Sequence, residues 1–297
     1  MITKRRFAQG FAALSALPLL AQAPRARAND DTPERLTEAF ARIEDASGGR
    51  LGVALFDSET GMQTGHRANE RFPMCSTSKL LTVAGILKRI DTGKLAYDKR
   101  VRITVADLVT YSPVTELHID DGMTILDLCE AALTVSDNTA ANLLIAELGG
   151  PEAVTTFARS IGDPVTRLDR IEPELNEAQP GDPRDTTSPL AIASNLRAIT
   201  RAGILNDISA GRLVSWLLSN QTGGARLRAG LPAGWRVGDK TGSGGNGTTN
   251  DVAIFWPPGR SAIYLSAYLT ETTAPPAERE ATLAAVARAV ADIVGAG

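Results

Sequence analysis

Residues 76–90 read STSKLLTVAGILKRI, and their apolar positions recur at the spacing of a helix that starts near Leu80. Ser76 and Lys79 stand three positions apart where this predicted helix begins, so their side chains share one face. The N-terminus of a helix supplies a positive field and free N–H groups, and a nearby lysine can activate a serine nucleophile. An N-cap serine followed by a surface lysine would have the same spacing, so this motif alone leaves both interpretations open.

Periodic patterns on both sides of this segment predict the fold. Apolar stripes predict further helices over Thr32–Ala46, Thr124–Leu133, Ala140–Leu148, Glu152–Ile161, Leu190–Arg201 and Glu278–Val294. Apolar runs predict strands over Leu51–Phe56, Trp235–Ser243, Asp251–Trp256 and Ala262–Leu269. Because a helix and strands occur at each end of the chain, we predict an α/β fold with an antiparallel sheet flanked by the terminal helices. One α/β domain would comprise residues 29–66 and 217–297, and an all-helical domain, residues 67–216, would be inserted between them.

One interior segment fits neither a helix nor a strand. Residues 170–189 read RIEPELNEAQPGDPRDTTSP, a sequence rich in Pro, Asp and Glu without apolar periodicity. A loop of this length inside a compact domain usually has a functional reason, and the alternative is a solvated surface loop.

Composition excludes several classes of function. With 43% hydrophobic and 22% charged residues, the chain has the composition of a globular protein, not of a disordered one. Without residues 1–28, 26 basic and 34 acidic residues remain, a net charge of −8, so a nucleic-acid partner is not expected.

The two histidines, His66 and His118, lie in polar surroundings and are predicted at the surface, so a histidine for a Ser-His-Asp triad is not expected. Small apolar neighbours predict that Cys75 and Cys129 are buried free thiols. The sequence has no HExxH motif and no Cys/His cluster, so neither a metal nor another cofactor is expected.

Residues 1–28 are typical of an export signal. Lys4, Arg5 and Arg6 form a positive start, an apolar run follows, and residues 26–28 read Ala-Arg-Ala, a small-residue cleavage site. An uncleaved membrane anchor is the alternative, but the apolar run is shorter than the roughly 20 residues that a spanning helix needs. We therefore predict a periplasmic or secreted protein, exported by the general secretory or the twin-arginine route and free of the membrane after cleavage.

Two further motifs follow the first one in order. Ser136-Asp137-Asn138 precedes a predicted helix, and Lys240-Thr241-Gly242 lies in a predicted strand. Alone, the Ser-Asp-Asn motif could be a helix cap, and the Lys-Thr-Gly motif could be an exposed lysine before a glycine turn. All three motifs in this order are the signature of class A β-lactamases and penicillin-binding proteins.

The sequence resembles a class A serine β-lactamase over essentially all of its length after residue 28. Glu172 and Asn176 match the start of that family's omega loop, and Asp185 would close the loop by pairing with Arg170. The resemblance implies the two-domain α/β fold shared with penicillin-binding proteins. It also implies hydrolysis of the β-lactam ring of penicillins and cephalosporins, with carbapenems as further candidates, through an acyl-serine intermediate that gives antibiotic resistance.

The resemblance implies a role for each site residue. Ser76 would be the nucleophile, Lys79 a proton shuttle and Ser136 a proton relay to the lactam nitrogen, while Glu172 would activate the hydrolytic water. Either Lys79 or Glu172 could be the base in acylation. The residues expected to bind the substrate or the water are Tyr111, Asn138, Asn176, Arg226, Lys240, Thr241, Gly242 and Ser243. The family also implies a cis Glu172–Pro173 bond, a structural role for Asp137, and a scaffold ion pair between Arg228 and Asp239.

Two alternatives share the first three motifs. A secreted penicillin-binding sensor would form the acyl ester and keep it, and a DD-carboxypeptidase would cleave cell-wall peptides. Neither needs Glu172, and penicillin-binding proteins lack the loop that carries it. We expect β-lactam small molecules as the binding partners and a monomeric protein.

Overall fold

The computed structural model describes residue 1, residues 31–201 and residues 203–295. The helices are α1 (Thr32–Ser47), α2 (Lys79–Asp91), α3 (Ile125–Thr134), α4 (Asn138–Leu148), α5 (Pro151–Ser160), α6 (Pro189–Thr200), α7 (Asp207–Leu218) and α8 (Pro276–Val294). The strands are β1 (Arg50–Asp57), β2 (Gln63–His66), β3 (Phe72–Pro73), β4 (Arg100–Val101), β5 (Met123–Thr124), β6 (Thr186–Thr187), β7 (Arg236–Ser243), β8 (Thr249–Trp256) and β9 (Ile263–Thr270).

Five strands form one antiparallel sheet in the order β2-β1-β9-β8-β7. Both ends of the chain therefore contribute to it, as the terminal patterns predicted. Among the described strands, β7 lies at the sheet edge and pairs only with β8, with Gly242 opposite Asn250. This places the Lys-Thr-Gly motif at an edge of the sheet, where it faces residues from the helical segment.

Each face of the sheet has its own hydrophobic core. Helices α1 and α8 cover one face with buried residues such as Leu36, Phe40 and Val286. The helical segment covers the other face, where Val252 and Tyr268 of the sheet join its core. Helix α2 lies at the centre of that core, because every residue from its first through the ninth is buried. A helix that is buried on all sides is a rigid support for the residues at its N-terminus.

The helices and strands predicted from periodicity are confirmed, with small shifts at their ends. The sequence analysis missed β2, and it missed α7, which extends two residues beyond the predicted domain limit at residue 216. The segment predicted as all-helical also contains two short antiparallel pairs, β3–β6 and β4–β5. The division into two domains stays a prediction. Apart from residue 1, the predicted export signal lies outside the described residues, and no described helix is both long and apolar enough to cross a membrane.

Candidate active site

The first motif forms a tight turn that leads into α2. Residues Cys75–Ser78 make a 3-10 turn, and Cys75 has a left-handed backbone with φ of 47°. Such a conformation is uncommon outside glycine and requires support from the surrounding structure. The turn places Ser76 next to Lys79, whose Nζ donates to the Ser76 Oγ at 3.0 Å. The shared helix face predicted from the spacing is confirmed.

Lys79 is fully enclosed by polar partners. Its side chain is buried, and its Nζ donates to the Ser136 carbonyl at 2.8 Å and to the Asn138 Oδ1 at 2.6 Å. The same Nζ lies 2.9 Å from the Glu172 Oε1. Burial lowers the pKa of Lys79, while the nearby Glu172 carboxylate acts in the opposite direction. A buried lysine with a lowered pKa exchanges a proton more readily than an exposed one.

Glu172 completes the contacts of the nucleophile. Its Oε1 accepts from the Ser76 Oγ at 3.3 Å, and its Oε2 accepts from the Asn176 Nδ2. Two backbone hydrogen bonds hold Glu172 against α4: its N–H donates to the Asn142 Oδ1, and the Asn142 Nδ2 donates to its carbonyl, both at 2.8 Å. The Glu172–Pro173 bond is cis, as the resemblance implied. Sequence reasoning missed Asn142, whose only signal was an amide inside an apolar helical stripe.

The long loop is closed by the predicted ion pair. The Arg170 Nε donates to the Asp185 Oδ2 at 2.6 Å, and the Asp185 side chain is 1% exposed. The Asp185 Oδ1 also accepts the backbone N–H groups of Asp169 and Arg170, at 2.7 and 2.9 Å. Charge-assisted hydrogen bonds of this kind are short and strong, so the two ends of the loop are firmly joined.

The second motif lies between two lysines. The Ser136 Oγ accepts from the Lys79 Nζ at 3.2 Å and from the Lys240 Nζ at 3.1 Å. Asp137 is structural, as expected, because it caps α4 through the Ala140 N–H at 2.8 Å. The Asn138 N–H donates to the Tyr111 carbonyl at 3.0 Å. This contact fixes the backbone of Tyr111, whose side chain is 55% exposed.

The third motif packs directly on the nucleophile turn. Lys240 is buried, and burial, with Lys79 nearby, lowers its pKa well below the ordinary value. A Cβ on Gly242 would lie 2.8 Å from the Met74 carbonyl oxygen and 3.2 Å from the Thr77 N, so only glycine fits here. The Thr241 hydroxyl contacts the Thr222 hydroxyl, a partner that the sequence did not reveal.

Two arginines support the β7 end of the site. The Arg226 Nη1 donates to the carbonyls of Gly242 and Asn250, each at 2.8 Å, and its Nη2 donates to the Ser243 Oγ at 2.7 Å. Arg226 therefore contacts the predicted site residues of β7 by its hydrogen bond to the Ser243 hydroxyl. The Arg228 Nε donates to the Asp239 Oδ1 at 2.6 Å, which confirms the expected scaffold pair.

The remaining expectations have mixed outcomes. Cys75 and Cys129 are both free and buried, as predicted, and burial raises the pKa of each thiol. His66 lies on the edge strand β2 and is partly exposed, with its side chain 17% exposed and its Nε2 2.7 Å from the Glu44 Oε2. Residues 31–201 and 203–295 contain no group of three or more His, Cys, Asp or Glu side chains that could hold a metal ion.

Comparisons with known proteins agree with this geometry. The profile of the β-lactamase enzyme family matches residues 35–294. The chain is 51% identical to β-lactamase CTX-M-25 of Escherichia coli over 279 residues, which cover 94% of this chain and 92% of that protein. It is 48% identical to β-lactamase OXY-1 of Klebsiella oxytoca over 94% of this chain and 95% of that protein. An ancestral class A β-lactamase structure superposes with a TM-score of 0.86 at 58% identity, covering 86% of this chain and 99% of that one.

A serine beside a buried lysine, with a carboxylate in contact with both, is the arrangement of a serine acyl-transfer enzyme. The α/β fold and the matched relatives narrow that class of enzyme to one family. The chain belongs to the β-lactamase enzyme family and is a class A serine β-lactamase.

Proposed function

We propose that this protein hydrolyses the β-lactam ring of penicillins and cephalosporins through an acyl ester on Ser76, and thereby gives antibiotic resistance. One observation carries the proposal: Ser76 Oγ contacts both the Lys79 Nζ, at 3.0 Å, and the Glu172 Oε1, at 3.3 Å. An acyl-transfer enzyme that only forms an ester does not need the carboxylate. A carboxylate placed beside the ester supplies the base for its hydrolysis.

Acylation begins when the Ser76 Oγ attacks the lactam carbonyl and loses its proton. Lys79 and Glu172 lie 2.9 Å apart, so one proton can move between them, and the pair accepts the serine proton as a unit. Ser136, in contact with both lysines, delivers a proton to the lactam nitrogen as the C–N bond breaks. The backbone N–H groups of Ser76 and Ser243 stabilise the negative oxygen of the tetrahedral intermediate.

Substrate binding uses the edge of β7 and the opposite wall. Lys240, Thr241 and the Ser243 hydroxyl bind the substrate carboxylate, and Arg226 orients Ser243. Gly242 lets the strand approach the nucleophile turn closely enough for this contact. The remaining binding residues lie on the other side of the site, where Asn138 binds the acylamino side chain and Tyr111 flanks the entrance.

Deacylation uses the omega loop. Glu172 removes a proton from a water that Asn176 also binds, and the water oxygen attacks the ester carbonyl to release the opened product and regenerate the Ser76 hydroxyl. The buried Asn176 Oδ1 supports this role, because it has no hydrogen-bond partner within the described part of the chain. A buried acceptor without a partner is costly unless a ligand or water completes it.

The protein acts outside the cytoplasm as a monomer, without a cofactor, a nucleic-acid partner or membrane attachment after signal cleavage. The pattern of residues 1–28 supports export by the general secretory or the twin-arginine route, and the net charge of the remaining chain supports the absence of nucleic acid.

The decisive experiment combines a chromogenic cephalosporin assay with intact-protein mass spectrometry. The parent protein should turn over many equivalents without a persistent adduct. Glu172→Gln should accumulate an adduct on Ser76 whose mass equals the protein plus the intact β-lactam. The matched control is Glu174→Gln, an exposed carboxylate in the same loop, which should behave as the parent does.

The outcomes separate the alternatives. A parent protein that acylates once and stays acylated would be a penicillin-binding sensor. Release of D-alanine from a D-Ala-D-Ala peptide, with slow cephalosporin turnover, would identify a carboxypeptidase. If Glu172→Gln hydrolyses the cephalosporin at the parent rate with no adduct, another group is the deacylating base and the mechanism is wrong.

A further inference from the structure

A buried tyrosine outside the proposed catalytic set contacts the nucleophile turn. Tyr268 lies on β9, is fully buried, and has its ring 6.1 Å from that of Phe72. The Tyr268 hydroxyl oxygen lies 2.8 Å from the Thr77 Oγ1. Thr77 directly follows Ser76 and is itself fully buried. A buried pair of hydroxyl groups at this position restricts how the turn can move.

The direction of this hydrogen bond follows from the number of protons. The Thr77 Oγ1 donates its single proton to the Met74 carbonyl at 2.8 Å, so towards Tyr268 it can only accept. Burial raises the pKa of Tyr268, which keeps its hydroxyl protonated and able to donate. A chain of two hydrogen bonds therefore runs from β9 through Thr77 to the Met74 carbonyl.

The Met74 carbonyl lies where the nucleophile turn meets β7. It also accepts the Thr77 N–H at 3.2 Å and the Asn250 Nδ2 at 3.2 Å. A Cβ on Gly242 would lie 2.8 Å from this oxygen, so the carbonyl is in close contact with the strand. Its position sets the separation between the turn that carries Ser76 and the strand that carries Ser243.

We propose that Tyr268 is a positioning residue for the reaction, which through Thr77 holds the nucleophile turn so that the Ser76 and Ser243 N–H groups converge on one oxygen. This inference rests on the proposed acyl-transfer function. An oxyanion hole works because its donors are fixed before charge develops, so a small displacement of one N–H group weakens it.

The test compares two tyrosine-to-phenylalanine variants on the same strand. Tyr268→Phe removes the hydroxyl and retains the ring. The matched control is Tyr264→Phe, because Tyr264 is also buried on β9, and its hydroxyl oxygen lies 3.4 Å from the Thr200 Oγ1, outside the proposed site. Cephalosporin kcat/KM, thermal stability and inhibition by phenylboronic acid are measured for both. The Ser76 Oγ adds to the boron and loses its proton to the neighbouring Lys79–Glu172 pair, which gives a tetrahedral anion with a B–O group in the oxyanion hole.

Tyr268→Phe should lower kcat/KM through kcat and weaken the boronate by about tenfold, a fraction of the effect of deleting a donor outright. Tyr264→Phe should leave kcat/KM and the boronate affinity unchanged, even if its melting temperature falls as much as that of Tyr268→Phe. Thr77→Val should reproduce the Tyr268→Phe defect and Thr77→Ser should retain parent values, so the Thr77 pair decides the matter if Tyr268→Phe does not fold.

Equal kinetics and boronate affinity in the two tyrosine variants would overturn the inference. A parent protein that fails to hydrolyse the cephalosporin would instead refute the proposed function. A parent protein that is active, together with Tyr268→Phe at the parent rate, would refute only the positioning role.

Discussion

Asp185→Asn tests how strongly the omega loop depends on one buried carboxylate. Asparagine has nearly the shape of aspartate and tolerates the left-handed backbone of this position, where φ is 55°. The substitution therefore changes the charge of one side chain with little steric effect. Because Glu172 lies in the same loop, we expect both stability and deacylation to respond.

The expected loss of stability follows from the hydrogen-bond partners of Asp185. An asparagine Oδ1 can still accept the two backbone N–H groups, but its NH₂ then faces the Arg170 Nε, so one charge-assisted hydrogen bond worth about 1.5 to 3 kcal/mol is lost. The larger cost of about 3 to 5 kcal/mol for a stranded buried charge does not apply. Arg170 keeps the Glu177 carboxylate, 2.6 Å from its Nη1. A loss of about 2 kcal/mol would lower the melting temperature by about 4 to 8 °C.

Thermal unfolding followed by circular dichroism measures the loss of stability. Stopped-flow kinetics with a good penicillin substrate separates the acylation rate from the deacylation rate. We expect a slower deacylation rate, because the carboxylate of Glu172 loses its fixed position, and little change in the acylation rate. Asp120→Asn is the matched control, since Asp120 also has a left-handed backbone, with φ of 70°, and pairs with Arg102 where both side chains are exposed, and such pairs contribute little. Parent values of melting temperature and deacylation rate in Asp185→Asn would refute this reasoning.

Three further predictions concern other parts of the site. Arg226→Ala should lower kcat/KM by about tenfold or more, since the substitution removes charge-assisted hydrogen bonds to Ser243 and to β7. Arg226→Lys should not restore kcat/KM, because lysine lacks the planar fork of donors. Parent kinetics in Arg226→Ala would contradict this prediction. Alkylation without reductant should label neither Cys75 nor Cys129 in the folded protein and both after denaturation, and a bridged mass would show the prediction to be wrong. Because the pKa of Lys240 is lowered, rising pH should neutralise it early and raise the KM for penicillins. Lys240→Arg should abolish that rise, since arginine stays charged, and a rise that persists unchanged would assign it to another group.

The fold could be predicted where the sequence pattern is local. Apolar periodicity predicts α2 and α8 because their apolar stripes pack against the cores. Such a stripe can be recognised without knowledge of the rest of the chain. Strand β2 has the sequence QTGH, which is polar, contains glycine and has low strand propensity, so only its pairing with β1 makes it a strand. Helix α7 could have been found from Asn206, whose side chain caps it.

The candidate site was predictable in its motifs but not in its supports. Ser76, Ser136 and Lys240 each begin or lie within a recognisable motif, and order along the chain was enough to group them. The contacts of Asn142 and Tyr268 join segments that are 30 and 191 residues apart in sequence. No local pattern encodes such a pairing, because it depends on how distant segments of the chain pack together in the fold. The contact of His66 with Glu44 was missed for the same reason, since Glu44 lies on a different element.

The charges of the site are the reason that we expect it to favour an anionic substrate. Lys79 and Glu172 neutralise each other across 2.9 Å. Lys240, by contrast, has no ion pair within residues 31–201 and 203–295, and its Nζ donates to the Ser136 Oγ and the Thr241 carbonyl. A buried cation without a counter-ion is costly, so an incoming carboxylate gains more there than at an exposed lysine. The chain after residue 28 has a net charge of −8 and does not attract anions at long range. We therefore expect selectivity for substrates that carry a carboxylate to come from Lys240 and its neighbours at contact distance.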